Sequence, residues 1–349
     1  MSTPQPIGRP TFPSSAGLAV NGAPATPIDV PAASGRMKLS AVTSGRIDLP
    51  IFVVLFGIEG IGKSTFAAAA PSPIVLDAEG STNHLDVPRF PRPTCWGDVL
   101  EACDVLATDQ HTYRTIVVDT LDAIEPLCWE YTCEKAGKTS IESFGYGKGY
   151  TAALDEWRPF LSRLEVLRER RRMNVILLAH HQVKKFQNPE GEDFDRYEMK
   201  LNRHPAELLR YMTDATLFAS YETATYEKDG KAKGVATGKR LIHTGRTAAF
   251  DAKNRYSLPP TLPLEWGAFE SAVSAGRALQ DETKALMVRL SKIDKDAADA
   301  VLAWTNARPR AMHEVAEMKK KLEARLAAAS PTQQPTTTST ETNKQGATK

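Results

Sequence analysis

The segment Gly57-Ile58-Glu59-Gly60-Ile61-Gly62-Lys63-Ser64 fills the pattern G-x-x-x-x-G-K-[ST] at every position. An apolar run, Ile51–Phe56, precedes it, and a short helical stretch, Ser64–Ala70, follows and is stopped by Pro71. A chain with this feature has to bring the end of a buried strand to the start of a helix through a glycine-rich loop. The glycines let successive backbone N–H groups turn inward and meet phosphate oxygens, and the helix adds its positive N-terminal end. The expected cradle is Gly57, Ile58, Glu59, Gly60, Ile61, Gly62, Lys63, Ser64 and Thr65. In it Lys63 reaches the β- and γ-phosphates of ATP, and the Ser64 hydroxyl ligates Mg²⁺.

The rest of the core follows the same logic. Ile74–Leu76, Thr115–Val118 and Val175–Ala179 are continuous apolar runs, as expected of parallel strands covered on both faces. Amphipathic stretches separate them; Thr151–Arg170 carries Leu154, Trp157, Leu161, Leu164 and Leu167 at helical spacing. The alternation predicts an α/β fold with a mostly parallel sheet. Beyond Met212, Ala215–Tyr221, Lys239–Thr244 and Thr247–Asp251 are expected as antiparallel strands, with Asp229-Gly230 and Gly245 as turns.

Two carboxylates stand where a phosphate site needs them. Asp119 ends the run Thr115–Val118, where it can hold the metal without disturbing strand packing. Glu79 follows the run Ile74–Leu76 in Asp77-Ala78-Glu79-Gly80 and is the candidate general base for the attacking water. A GTPase reading of Asp77-x-x-Gly80 is disfavoured, because Ser291 stands where Ser291-Lys292-Ile293-Asp294 would need an asparagine to read guanine.

Composition divides the chain into four parts. Residues 1–36 and 331–349 are rich in Pro, Ala, Ser and Thr with little apolar pattern, and are expected as disordered tails. Residues 37–265 form the core, and 266–330 form a helical appendage with Met312, Val315, Met318, Leu322 and Leu326 on one face. No apolar run is long enough to cross a bilayer, and the four cysteines lack metal-ligand spacing. A cytoplasmic protein without membrane partners is expected. A net charge of only +2 leaves any argument for nucleic acid to local patches. The basic run Lys319–Lys321 is most simply a solvated helix face. The adjacent His180 and His181 cannot both face one side of a strand, so a structural role is the simpler one for the pair.

In their order, these motifs resemble the RecA-like recombination ATPases, particularly the small phage-encoded members associated with single-strand annealing, over roughly residues 37–264. The resemblance implies that Asp77-Ala78-Glu79 is the D-x-E whose glutamate activates water, and that Asp119-Thr120 closes the metal-binding strand. It implies that Gln182 in Ala179-His180-His181-Gln182 senses the γ-phosphate, with His180 and His181 as the alternatives. It further implies that Lys253 and Arg255 in Lys253-Asn254-Arg255 reach the ATP of a neighbouring subunit. A homo-oligomer, ring or filament, follows from that, with host-cell cytoplasm as the location if the chain is phage-encoded.

The family presents two loops to DNA. The first corresponds to Ser143–Tyr150, where Tyr146 and Tyr150 could stack on bases and Lys148 could meet phosphate. The second begins at Lys184, Lys185 and Phe186, although Glu190, Glu192, Asp193 and Asp195 dilute its charge. The expectation is a DNA-dependent ATPase bound to single-stranded DNA, acting beside recombination or replication proteins. The rivals are a hexameric helicase, for which residues 1–36 cannot supply the usual N-terminal domain, and an ATP-sensing regulator indifferent to DNA.

Overall fold

The computed structural model describes residues 38–228, 231–307 and 310–329 of the 349-residue chain. Both expected tails and the Asp229-Gly230 turn lie outside the described residues. Residues 38–48 belong to a separate unit and hold a single 3₁₀ turn, Leu39–Ala41. The described residues from 49 to 329 form the other.

In chain order the second unit contains β1 (Phe52–Gly57), α1 (Lys63–Ala68), β2 (Pro73–Asp77), α2 (Trp96–Thr108), β3 (Thr115–Asp119), α3 (Leu121–Ala136) and α4 (Lys148–Arg170). There follow β4 (Asn174–Phe186), β5 (Phe194–Met199), α5 (Arg203–Met212), β6 (Ala215–Lys228), β7 (Lys231–His243), β8 (Lys253–Asn254) and β9 (Thr261–Pro263). Three helices complete it: α6 (Trp266–Ser291), α7 (Lys295–Ala307) and α8 (Met312–Ala329).

The sheet runs β2-β3-β4-β1-β6-β7-β9. The first five strands are parallel and the last two pair antiparallel, as the change of pattern after Met212 predicts. Period-two alternation sends Phe52, Val54 and Phe56 into the layer under α2, α3 and α4. It sends Val53 and Leu55 into the layer shared with Phe66 of α1 and Trp266, Phe269 and Val273 of α6. All five β1 side chains are wholly buried, and each such burial contributes about 1.5–3 kcal/mol. This fixes β1, and with it the loop that leaves its C-terminal end, at the centre of the sheet.

Trp96 and Trp157 are core residues, fully buried with ring centroids 5.5 Å apart. The N-terminal half of α6 belongs to the opposite layer, through Trp266, Phe269 and Val273. Its C-terminal end packs Leu290 against Ala298, Leu322 and Leu326 of α7 and α8.

Three local expectations are corrected. Thr247–Asp251 is not a strand; only Phe250 bridges, to Tyr197. Side chains hold the segment instead: Phe250 stacks on Phe218 at 4.9 Å, and Asp251 pairs with Arg196 and Arg210, each at 3.0 Å. Lys184–Phe186 are strand and not loop. β4 leaves the parallel sheet after His180, opposite Gly57, and continues from His181 as an antiparallel pair with β5. Phe186 against Phe194 at 5.1 Å and Arg196 over the Phe186 ring at 5.2 Å reward that extension. The segment Ser143–Tyr150 is largely helical. A 3₁₀ turn spans Ile141–Phe144 and α4 begins at Lys148, which leaves Tyr146 in the turn between.

Candidate nucleotide site

The loop after β1 closes at Gly62, whose φ of +106° is open to glycine and strained for other residues. That turn starts α1 at Lys63 and aims the loop across the C-terminal ends of β1, β3 and β4. A cavity of about 360 Å³ lies there, lined by Gly60, Gly62, Lys63, Ser64, Thr65, Glu79, Ser81, His84, Asp119, Thr120, His180 and Arg240. The structure therefore brings together residues from four separate strand ends around the motif.

Lys63 is 6% exposed, and its Nζ donates to Gly57 O at 3.3 Å and Ile58 O at 3.0 Å. Burial lowers its pKa, against the opposing charges of Asp119, Asp122, Glu79 and Glu59. An anionic phosphate beside it would offset that burial. Asp119 is almost wholly buried and accepts hydrogen bonds from the hydroxyls of Ser64 and of Ser81, the latter at 2.9 Å. Burial raises its pKa, the serine hydroxyls oppose this, and the charges of Asp77 and Glu79 add to it. A buried carboxylate joined to a serine hydroxyl is an oxygen-donor set suited to a hard cation such as Mg²⁺. The peptide bond joining Asp119 to Thr120 is cis.

Glu79 is held over the cavity by the turn beneath it. The Asp77 carboxylate accepts from the backbone N–H groups of Gly80 at 2.7 Å, Ser81 at 3.2 Å and Thr82 at 2.9 Å, and from the Thr82 hydroxyl at 2.5 Å. Burial alone would raise the Asp77 pKa, but these bonds outweigh it and lower it. Asp77 is thus the scaffold of the turn. Glu79 itself accepts from the Thr120 hydroxyl at 2.9 Å and lies 3.3 Å from His180 Nδ1.

His180 holds the place beside Glu79. Its backbone N–H and its Nδ1 reach the two oxygens of Asp122, each at 2.9 Å. The side-chain bond to Asp122 is the main reason its pKa is raised. The ligand atoms of Glu79, Asp122 and His180 lie within 4.8 Å of one another, and the hydrogen bonds just given account for that spacing. His181 Nδ1 lies 3.3 Å from Gly57 O. Gln182 faces away from the phosphate loop, its Nε2 donating to Met199 O at 2.7 Å and Leu201 O at 3.3 Å.

Lys253 and Arg255 do not line the cavity of their own chain. Lys253 Nζ donates to the carbonyls of Arg210, Tyr211 and Thr213 at 2.6, 3.1 and 2.6 Å, which ties down the end of α5. Burial, with Arg255 nearby, pulls its pKa down to about 8. Arg255 is 44% exposed and lies 3.7 Å from Asp214. Among the expected DNA contacts, Tyr146 is fully exposed and Lys148, Lys184 and Lys185 are exposed. Tyr150 is spoken for: its hydroxyl bonds Glu142, and its ring meets Trp129 edge-on at 5.3 Å. Lys185 lies 3.6 Å from Asp193.

Sequence reasoning missed Arg240, Ser81 and the Asp122–His180 pair. Asp122 follows Asp119 by three residues, in the first turn of α3, a proximity that could have been noticed. Arg240 had no such signal, since nothing in the sequence sets the register of β7 against the phosphate loop, and Ser81 reaches Asp119 only through the turn that Asp77 holds.

Fold and site together define a P-loop nucleotide-binding domain of the ATPase class. The chain belongs to the AAA domain family, whose model matches residues 49–256. No curated protein matches the sequence. Among solved structures it is similar to one described as the crystal structure of the RadB recombinase, at 13% identity and a TM-score of 0.32, over 56% of this chain and 80% of that one. No helix among the described residues is long and apolar enough to cross a membrane.

Proposed function

We propose that this chain hydrolyses ATP and that single-stranded DNA stimulates the reaction, as expected of an ATPase acting in recombination or strand annealing. The observation that carries the chemistry is the cavity in which Lys63, the Ser64–Asp119 pair and Glu79 converge. The loop amides and Lys63 bind the phosphate chain and offset charge that builds up during transfer. Ser64 and Asp119 would hold Mg²⁺, which neutralises phosphate oxygens when bound. Glu79, fixed by Thr120 and flanked by His180, takes the proton of the attacking water. His180 senses the nucleotide in place of Gln182, because it lines the cavity and Gln182 does not.

The link to DNA runs along β4. His180 is the last residue paired with β1, and the same strand continues through Lys184, Lys185 and Phe186. A shift at the phosphate end therefore moves the hairpin that carries Lys184, Lys185 and Phe186. Lys184, Lys185 and Phe186 would meet one strand together with Tyr146 and Lys148, and Tyr150 would buttress the turn. Arg255, exposed on the surface, is the candidate for contact with a second copy in a ring or filament, whereas Lys253 is committed to α5.

The test is the ATPase rate with and without single-stranded DNA, for the wild type and for a Tyr146→Ala/Lys148→Ala/Lys184→Ala variant. Each lost stacking contact costs about 1–3 kcal/mol, and each lost lysine flattens the salt dependence of binding. The variant should bind ATP normally and lose DNA stimulation. No affinity of the wild type for single strands at low salt with ATP·Mg²⁺ would refute the DNA reading and favour an ATP-sensing regulator.

A further inference from the structure

The cavity contains a second cation that the phosphate-loop motif does not account for. Arg240 lies near the end of β7, opposite Tyr221 of β6, and its side chain crosses to the cavity wall. Nη1 donates to Ile61 O at 3.3 Å. A Cβ added at Gly62 would come within 2.7 Å of the same nitrogen, so the guanidinium sits directly on the turn that starts α1. The arrangement mirrors that of Lys63, which rests on the carbonyls of Gly57 and Ile58 in the same loop.

Arg240 combines a place on the cavity wall with the absence of a counter-charge among the described residues. Arg163 pairs with Asp104, Arg168 with Asp214, and Arg196 and Arg210 with Asp251. Arg240 has no ion pair with any described residue, and of its five N–H donors a single long hydrogen bond to Ile61 engages one. A planar guanidinium held free beside backbone amides and a lysine is complementary to phosphate, which it can grip with two parallel bonds.

We infer that Arg240 is a phosphate-binding residue of this site, acting on the phosphate chain of a nucleoside di- or triphosphate bound by its own chain. This rests on the reading of the cavity as an ATP site. It also places the cation in cis, because β7 is two strands from β1 in the same sheet.

The experiment compares wild type, Lys63→Ala, Arg240→Ala, Arg240→Gln and Arg240→Lys by equilibrium binding of ATP and ADP and by steady-state hydrolysis. Arg240→Ala should weaken both nucleotides 10- to 100-fold and raise KM accordingly, with kcat within about threefold and the thermal midpoint unchanged. Arg240→Gln, which keeps bulk and loses charge, should do the same, and Arg240→Lys should recover part of the affinity. Equal mixtures of Lys63→Ala and Arg240→Ala chains, assayed at ATP below the wild-type KM, should show no more than the sum of their separate activities, because no chain owns a complete site. Nucleotide affinity within about threefold of wild type in both the Ala and Gln variants, while Lys63→Ala abolishes it, would overturn the role of Arg240 alone. Recovery of activity in the mixture would overturn its action in cis. A wild type that binds no nucleotide would instead overturn the underlying ATP site.

Discussion

Glu125 on α3 makes the stability of this domain depend on pH in a direction that can be worked out. It is 5% exposed, and its two oxygens accept from the Asn202 backbone N–H at 2.9 and 3.2 Å. Burial is the main reason its pKa rises from 4.5 to about 7; the Asn202 bond and Lys184 oppose the rise, and the charge of Asp122 adds to it. The folded protein therefore holds this proton more tightly than the unfolded chain does. Stability is greatest below the unfolded value, falls as pH rises from 4.5 towards about 7, and levels off above that. At about 1.4 kcal/mol per pH unit, the change between pH 5 and pH 8 is on the order of 2–3 kcal/mol. His180, whose pKa is also raised, makes stability fall with rising pH as well, so the difference between wild type and Glu125→Gln is the quantity to measure. Urea unfolding of both proteins at pH 5 and pH 8 should show the variant gaining on the wild type by about 2–3 kcal/mol at the higher pH. Parallel pH profiles would refute the reasoning, because the carboxyl would then titrate alike in both states.

Two further outcomes follow from single residues. Glu79→Gln should bind ATP·Mg²⁺ with near wild-type affinity and hydrolyse it about 10²- to 10⁴-fold more slowly; unchanged turnover, measured as phosphate release, would remove Glu79 from the chemistry. Gly276→Ala places a Cβ 2.0 Å from the Tyr256 carbonyl oxygen, so α6 must lift from the core at a cost of about 1–3 kcal/mol by chemical denaturation, and no loss would show that α6 is not seated there.

The sequence makes the centre of this molecule legible and its periphery much less so. The phosphate loop, the β3 carboxylate and the α/β alternation each rest on local rules, namely glycine spacing and unbroken apolar runs, and the structure holds them where those rules place them. The side chain of residue 182 is different. Period-two counting puts His180 and Gln182 on one face, but β4 changes partners between His180 and His181, so Gln182 turns toward the β5–α5 connection. Lys184–Phe186 became strand for the same reason: their partner β5 is polar and broken by acidic residues, which hides it from pattern reading. Arg240 depends on the register of a long hairpin, and Lys253 is held by the carbonyls of a helix end. Such tertiary partners leave no trace at the position itself.

The central claim is that the loop around Lys63 binds the phosphates of ATP, and equilibrium binding of ATP·Mg²⁺ to the wild type and to Lys63→Ala tests it most directly. Among the described residues the Lys63 Nζ donates only to carbonyls of its own loop, so the variant should keep its thermal midpoint within a few degrees while losing ATP affinity by about a hundredfold or more, the loss of a charge-assisted contact in a buried site. Equal ATP affinity in the two folded proteins would contradict the account.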